Sequence, residues 1–152
     1  MSLDEIDYKI LHALMLQGRM TWAELATVLG LSAPAAGDRA RRLEERGIIR
    51  GYTALVDADA IGYSLTAFVA VTLERPQHRI AFLELVQQLA EIQECHHIAG
   101  DDDYWLKVRC RDTKHLERLV SNQIKELPGV IKTRTTIVLT TVKETTGLPV
   151  SD

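Results

Sequence analysis

The hydrophobic period of this 152-residue chain changes once, near Ser64, and that change limits what it can fold into. Before it, apolar residues recur at spacings of three and four, as on amphipathic helices. After it, stretches that alternate in twos, as in strands, are interleaved with further helical stretches. Such a chain needs two cores, a small helical one and a mixed one. The turn-rich segment 57–62 (DADAIG) is the expected hinge. The reading therefore divides the chain into residues 1–60, residues 61–145 and a short polar tail, 146–152.

In the first part, Ile6, Ile10, Leu11, Leu14 and Met15 predict a helix that starts at Ser2 or Asp4 and stops at Gly18. Thr21 and Glu24 form a capping box for a second, two-turn helix, with Leu25, Val28 and Leu29 inward and Gly30 at its end. Leu31 and Ser32 leave only a tight turn. Ser32 then caps a third helix that runs to Gly47, with Pro34 tolerated in its first turn. Two short helices across a glycine-containing turn make a helix-turn-helix. Along the third, steps of 100° place Ala36, Ala40 and Leu43 on one apolar strip and Arg39, Arg42 and Arg46 on the next. The β-prone run 48–56 reads as a wing or a connecting strand.

Composition decides what such a helix can serve. Residues 1–60 hold seven Lys and Arg against nine Asp and Glu, so this half is no polycation; yet five of those seven lie between Arg39 and Arg50. Phosphate contact requires only a few cations on one face, and the placement favours DNA over a solvated helix face paired with Glu44 and Glu45. The longest apolar runs, such as 65–73, fall well short of the ~20 residues of a membrane span, and no secretion signal opens the chain. A cytoplasmic location is expected, and no membrane partner. Two cysteines are too few for a disulfide framework.

In the second part, residues 65–73 form a strand with Leu65, Ala67, Val69, Val71 and Leu73 on one face and Phe68 and Ala70 on the other. After Pro76, Ile80, Leu83, Val86, Leu89 and Ala90 define a helix. Strands follow at 92–99 and 104–111, about a turn at 100–103. Asp112 or Thr113 caps the next helix, with Leu116, Leu119, Val120, Gln123, Ile124 and Leu127 inward. A last strand covers 130–143, with Ile137 and Leu139 on one side and Val138 and Val142 on the other. The order is βαββαβ, a ferredoxin-like arrangement with both helices on one face of an antiparallel sheet. Strands that are apolar on both faces then call for a second chain, sheet against sheet.

A helix-turn-helix carrying LSAPAAGDRARRLEERGII, followed by HHIAGDDDYWLKVRCRD and LPGVIKTRTTIVL in that order, resembles the Lrp/AsnC, or feast/famine, regulators. The likeness runs from about Leu3 to Lys143. It implies an α+β protein in which a winged helix-turn-helix joins a C-terminal ferredoxin-like domain, and which binds double-stranded DNA. It further implies a homodimer assembling into an octamer and a small-molecule effector, commonly an amino acid. Carried over position by position, the DNA-binding set is Ser32, Ala33, Ala35, Gly37, Asp38, Arg39, Arg41, Arg42 and Arg46. The effector set is Ala99, Gly100, Asp101, Asp102, Asp103 and Tyr104, with Asn122, Thr133, Thr135 and Thr136. Ala36, Gly37 and Asp38 depart from the family pattern, where larger or basic residues are usual. Plain turn roles are the alternative for the aspartates: Asp101 and Asp102 solvated, Asp103 fixing the hairpin.

No metal and no cofactor are expected. Cys95, His96, His97 and Cys110 lack ligand spacing, and adjacent histidines on a strand face opposite sides. Trp22 and Trp105 read as packing residues. No phosphate loop, nucleophile elbow or acid pair indicates an enzyme. The rival from that class is a sirohaem decarboxylase of similar architecture, which requires a tetrapyrrole pocket of His and Arg. A weakly specific architectural DNA-binding protein is the other alternative.

Overall fold

The computed structural model describes residues 2–150, which form two compact units: one reaching to Leu55 and including the segment from Lys143 onward, the other spanning Val56–Val142. The division thus falls ahead of residue 60, and the C-terminal segment belongs with the helical unit. There the Leu148 N–H reaches the Met15 sulfur at 3.4 Å.

The first unit holds α1 (Glu5–Leu16), α2 (Trp22–Leu29) and α3 (Ala33–Glu45). Asp4 caps α1, Thr21 caps α2 through a reciprocal bond pair with Glu24, and Ser32 caps α3. Ile10, Leu14, Leu25, Ala36, Ala40 and Leu43 are buried together. Val28, expected inward, is exposed, and Ala26 takes its place. At the end of α3, Gly47 turns left-handed at φ 71°; its N–H donates to the Glu44 carbonyl and that of Ile48 to the Leu43 carbonyl, which satisfies the last turn. The expected wing is absent: among the described residues no strand lies between α3 and residue 65. Residues 48–55 have no neighbouring strand to pair with. Ile48 and Ile49 pack on the helical core, and the Tyr52 hydroxyl donates to Glu44 at 2.9 Å. Burial, and then the Glu44 carboxylate, push the Tyr52 phenol up to about 12.

The second unit is a four-stranded antiparallel sheet of β1 (Leu65–Leu73), β2 (Ile92–His97), β3 (Tyr104–Cys110) and β4 (Val130–Ile137), in the order β2-β3-β1-β4. α4 (Arg79–Gln88), entered through a 3₁₀ turn at Pro76–His78, and α5 (Thr113–Glu117) lie on one face. α5 widens to π geometry over Arg118–Ile124. The core joins Ala67, Val69, Val71, Leu106, Val108 and Cys110 to Phe82, Val86, Leu116, Leu119 and Ile124. The helix phases differ from the sequence reading in two places. Phe82 has the largest apolar surface in its helix and takes the inward position, which turns Ile80 and Leu83 outward. The π widening carries Gln123 to solvent.

β4 is also shorter than expected, ending at Ile137, with Leu139 and Val142 fully exposed beyond it. Opposite the helices, register places Thr66, Phe68, Ala70 and Thr72 of β1 beside Trp105, Lys107 and Arg109 of β3 and Lys132, Arg134 and Thr136 of β4. This face is apolar at its centre and cationic along β4, so the last strand is not apolar on both sides.

The turn into β4 depends on Gly129. Its φ is 92°, its carbonyl accepts the Glu74 N–H at 2.7 Å, and a Cβ there would stand 2.1 Å from the His78 ring. Gly129→Ala is expected to lower the stability of the sheet unit by roughly 2–4 kcal/mol in urea unfolding, through backbone strain and displacement of His78. Adding His78→Ala is expected to recover part of the loss.

Candidate nucleic-acid interface and candidate ligand cleft

The buried strip of α3 is Ala36, Ala40 and Leu43, as expected, and Gly37 joins it. A Cβ on Gly37 would lie 3.0 Å from Trp22 Cδ1, so the missing side chain is what lets the α2 indole rest on α3. This corrects the reading of Gly37 as a DNA-facing residue. The close approach of the two helices compensates for a helix-propensity cost of about 1 kcal/mol.

Arg39 departs from the cationic strip as well. Its Nη1 donates to Asp4 Oδ2 at 2.6 Å and to Asp7 Oδ1 at 3.2 Å. Those carboxylates already cap α1: the Asp7 N–H donates to Asp4 Oδ1 and the Asp4 N–H to Asp7 Oδ2. The guanidinium therefore clasps α3 to the first turn of α1, where negative charge is favoured by the helix dipole. The Arg39 hydrogen bond, followed by the Asp7 backbone, holds the Asp4 carboxyl below the usual range, and Asp4 in turn raises Arg39.

The remaining positions form an outward edge. Arg41 Nη1 donates to Asp38 Oδ1 at 2.8 Å with both side chains more than half exposed, which neutralises the carboxylate next to any approaching phosphate. Arg42 is exposed and without a partner among the described residues. Arg46, at the C-cap, is exposed. The Ser32 hydroxyl is engaged with the Ala35 N–H at 3.3 Å, and Ala33 and Ala35 are half-buried.

In the second unit the turn after β2 sorts its three aspartates. Asp101 is exposed. Asp102 is 5% exposed, accepting from Arg134 Nη2 at 2.5 Å and from the Thr72 hydroxyl at 3.2 Å, so it is no solvated turn residue. Asp103 fixes the hairpin: its carboxylate accepts the Leu73 N–H at 2.7 Å, its own N–H donates to the Val71 carbonyl, and its carbonyl accepts the Ile98 N–H. The β1–β4 register slips between Thr72 and Leu73, at the strand end where the Leu73 N–H meets this carboxylate.

Beside this turn opens a cleft of about 380 Å³ lined by Leu73, Glu74, Arg75, Pro76, Arg79, His97, Asp103 and Tyr104. Of the expected effector set, only Asp103 and Tyr104 line it. Ala99, Gly100 and Asp101 form the exposed rim of the turn, and a Cβ on Gly100 would meet nothing within 4 Å. Asn122 is exposed on the π turn. Thr133 and Thr135 face the helix side of β4, and Thr136 faces the other, so Thr135 and Thr136 cannot serve one pocket within a single chain. Glu74, Arg75 and Arg79 escaped the sequence reading, and His97 entered it only as a rejected metal ligand. Two signals for them existed: the charge cluster ERPQHR directly after a strand, and the hairpin register that sets His97 opposite Tyr104. No metal-binding group of three or more His, Cys, Asp or Glu occurs among the described residues.

A helix-turn-helix with an exposed cationic edge, in a chain that also carries a βαββαβ unit with an open cleft, defines a two-domain, ligand-modulated regulator that binds DNA and controls transcription. The chain belongs to the Lrp/AsnC family: the AsnC-type helix-turn-helix domain matches residues 3–44 and the Lrp/AsnC ligand binding domain residues 66–148. It is 43% identical to the leucine-responsive regulatory proteins of Klebsiella pneumoniae and Escherichia coli (strain K12) over 149 residues, 97% of this chain and 91% of each relative. A transcriptional regulator of Neisseria meningitidis solved as its L-Met complex superposes with a TM-score of 0.94 at 32% identity, covering 97% of both chains. AsnC of E. coli superposes at 0.90 and 29% identity, covering 98% of this chain and 100% of that one. A feast or famine regulatory protein of M. tuberculosis complexed with L-methionine superposes at 0.90 and 36%, covering 99% and 100%. No helix among the described residues is long and apolar enough to cross a membrane.

The Arg39 clasp has a pH signature. Because the Asp4 carboxyl titrates below its ordinary 3.8 in the folded chain, the stability it contributes is present above that pH and is lost as pH falls through the folded value. Arg39→Met is expected to lower the melting temperature at pH 7 and to lower it progressively less in acid. Calorimetric scans from pH 7 to 2.5 check this, with the two curves converging once Asp4 is protonated in both states.

Proposed function

We propose that this protein controls transcription as a homodimer, able to assemble into an octamer, which sets paired copies of α3 into successive major grooves of double-stranded DNA and changes its assembly when an amino acid binds. The observation that carries the reading is the division of labour on α3. Gly37 and Arg39 lock the helix into its unit, while Arg41, Arg42 and Arg46, with Ser32, Ala33, Ala35 and Asp38, form the edge offered to DNA. With so few hydrogen-bonding side chains at the reading end, phosphate contact and DNA shape supply much of the recognition, and spacing of two half-sites about one DNA turn apart supplies the rest.

Self-association is supported by the open sheet face, where Phe68 is 40% and Trp105 49% exposed. An amino-acid effector is supported by relatives solved with methionine and named for leucine. The cleft offers guanidiniums for an α-carboxylate and carboxylates for an α-ammonium group. Ala99, Gly100 and Asp101 rim the cleft's turn and face a neighbouring dimer, with Asn122, Thr133 and Thr135 as further contacts across that interface. The protein acts in the cytoplasm as a regulator and not as an enzyme.

Arg42→Ala is expected to weaken binding to many DNA sequences alike and to lower the slope of log K against log salt by about one per engaged copy of α3. Its melting temperature should not change. Fluorescence anisotropy over a salt series checks this, and unchanged affinity and slope would remove Arg42 from the interface. Trp105→Glu is expected to shift the protein toward monomer in light scattering and to abolish tight binding to paired half-sites. A variant that stays dimeric would place the self-association surface elsewhere.

A further inference from the structure

We propose that the ligand of the cleft is an amino acid with a second carboxylate in its side chain, held with both carboxylates toward Arg75, Arg79 and His97 and its ammonium group toward Glu74 and Asp103. The inference rests on reading this cleft as the effector site and deepens that reading by naming the ligand class.

The allocation of donors and acceptors carries it. Arg75 and Arg79 are exposed and have no carboxylate partner among the described residues, although Glu74 is adjacent in sequence. His97 is fixed as the third donor by stacking on Tyr104, at 4.9 Å between ring centroids and 25° between planes; Tyr104 is itself buried against Phe82. On the acidic side, one Asp103 oxygen is committed to the Leu73 N–H and the other remains available, while Asp102 is spent on Arg134 and Thr72. As hydrogen-bonding groups, the cleft therefore presents two guanidiniums and an imidazole as donors against the Glu74 carboxylate and the second Asp103 oxygen as acceptors. One α-carboxylate and one α-ammonium would leave a guanidinium and the imidazole with no partner on the ligand. A second carboxylate occupies both.

Shape agrees with charge. The apolar residues of the lining are Leu73, Pro76 and Tyr104, which can take the methylene chain of such a ligand. A volume of about 380 Å³ is at the small end of ligand pockets.

The test is calorimetric titration of the full chain with L-glutamate and L-aspartate, each against its uncharged isostere, L-glutamine or L-asparagine, and against L-leucine. The ligand-free melting temperature of each variant checks its folding. At least one acidic amino acid is expected to bind tenfold or more tightly than its amide, and Arg75→Gln or Arg79→Gln should reduce that preference to threefold or less. Equal or tighter binding of the amide overturns the proposal. So does a preference for the acid that survives both arginine substitutions, since the ligand would then sit elsewhere. Tight binding of L-leucine alone overturns the ligand class but keeps the amino-acid effector, whereas no binding by any of the five removes both.

Discussion

The end of the central strand and the aspartate turn hold each other, and the functional geometry of the second unit follows from that grip. β1 bonds to β3 on one side and β4 on the other, and its last three residues each meet the turn: the Val71 carbonyl takes the Asp103 N–H, the Thr72 hydroxyl reaches Asp102, and the Leu73 N–H reaches the Asp103 carboxylate. A backbone N–H bonded to an ionised carboxylate is among the stronger hydrogen bonds a hairpin can make. Fixing Asp103 places Tyr104, the first residue of β3, which in turn positions the His97 ring. The cleft is thus assembled from residues whose placement descends from one strand end.

The helical unit shows the same economy with an opposite charge. An isolated arginine strip would be a set of like charges in mutual repulsion, and two arginines of α3 resolve this differently. Arg39 turns toward the acidic first turn of α1, while Arg41 stays on the surface beside Asp38. The first contact joins residues 35 apart in the chain, so it closes the unit as well as neutralising it. The second is a solvated pair that contributes a few tenths of a kcal/mol at most and that a phosphate can displace.

Element identity was legible in the sequence wherever local chemistry decides it. Capping boxes at Thr21 and Glu24, the Ser32 cap, and period-two alternation over Leu65–Leu73 all specify structure within a few residues. The failures share a cause in long-range competition. A β-prone run at 48–56 makes no strand because pairing requires a neighbour the local sequence cannot supply. Ile80 and Leu83 fit an apolar stripe as well as Phe82 does, and only the volume to be filled under the sheet selects between them. Gly37 looks like a defect in a helix until Trp22 is placed on it. Partner choice among like residues is the hardest case: Asp101, Asp102 and Asp103 are chemically identical and adjacent, yet one is solvated, one is buried in an ion pair and one holds the hairpin.

That allocation has a consequence for how the surfaces of the second unit communicate. Arg134 stands on the sheet face opposite the helices, in register with Ala70, whose partner on the other side is Trp105, whereas Asp102 belongs to the turn at the cleft. Their ion pair, with the carboxylate side chain 3% exposed, connects the open sheet face with the turn beside the cleft. Moving the turn away from Arg134 would leave a buried carboxylate with only the Thr72 hydroxyl, a state costing several times what a surface pair is worth. Turn and face are therefore constrained to move together.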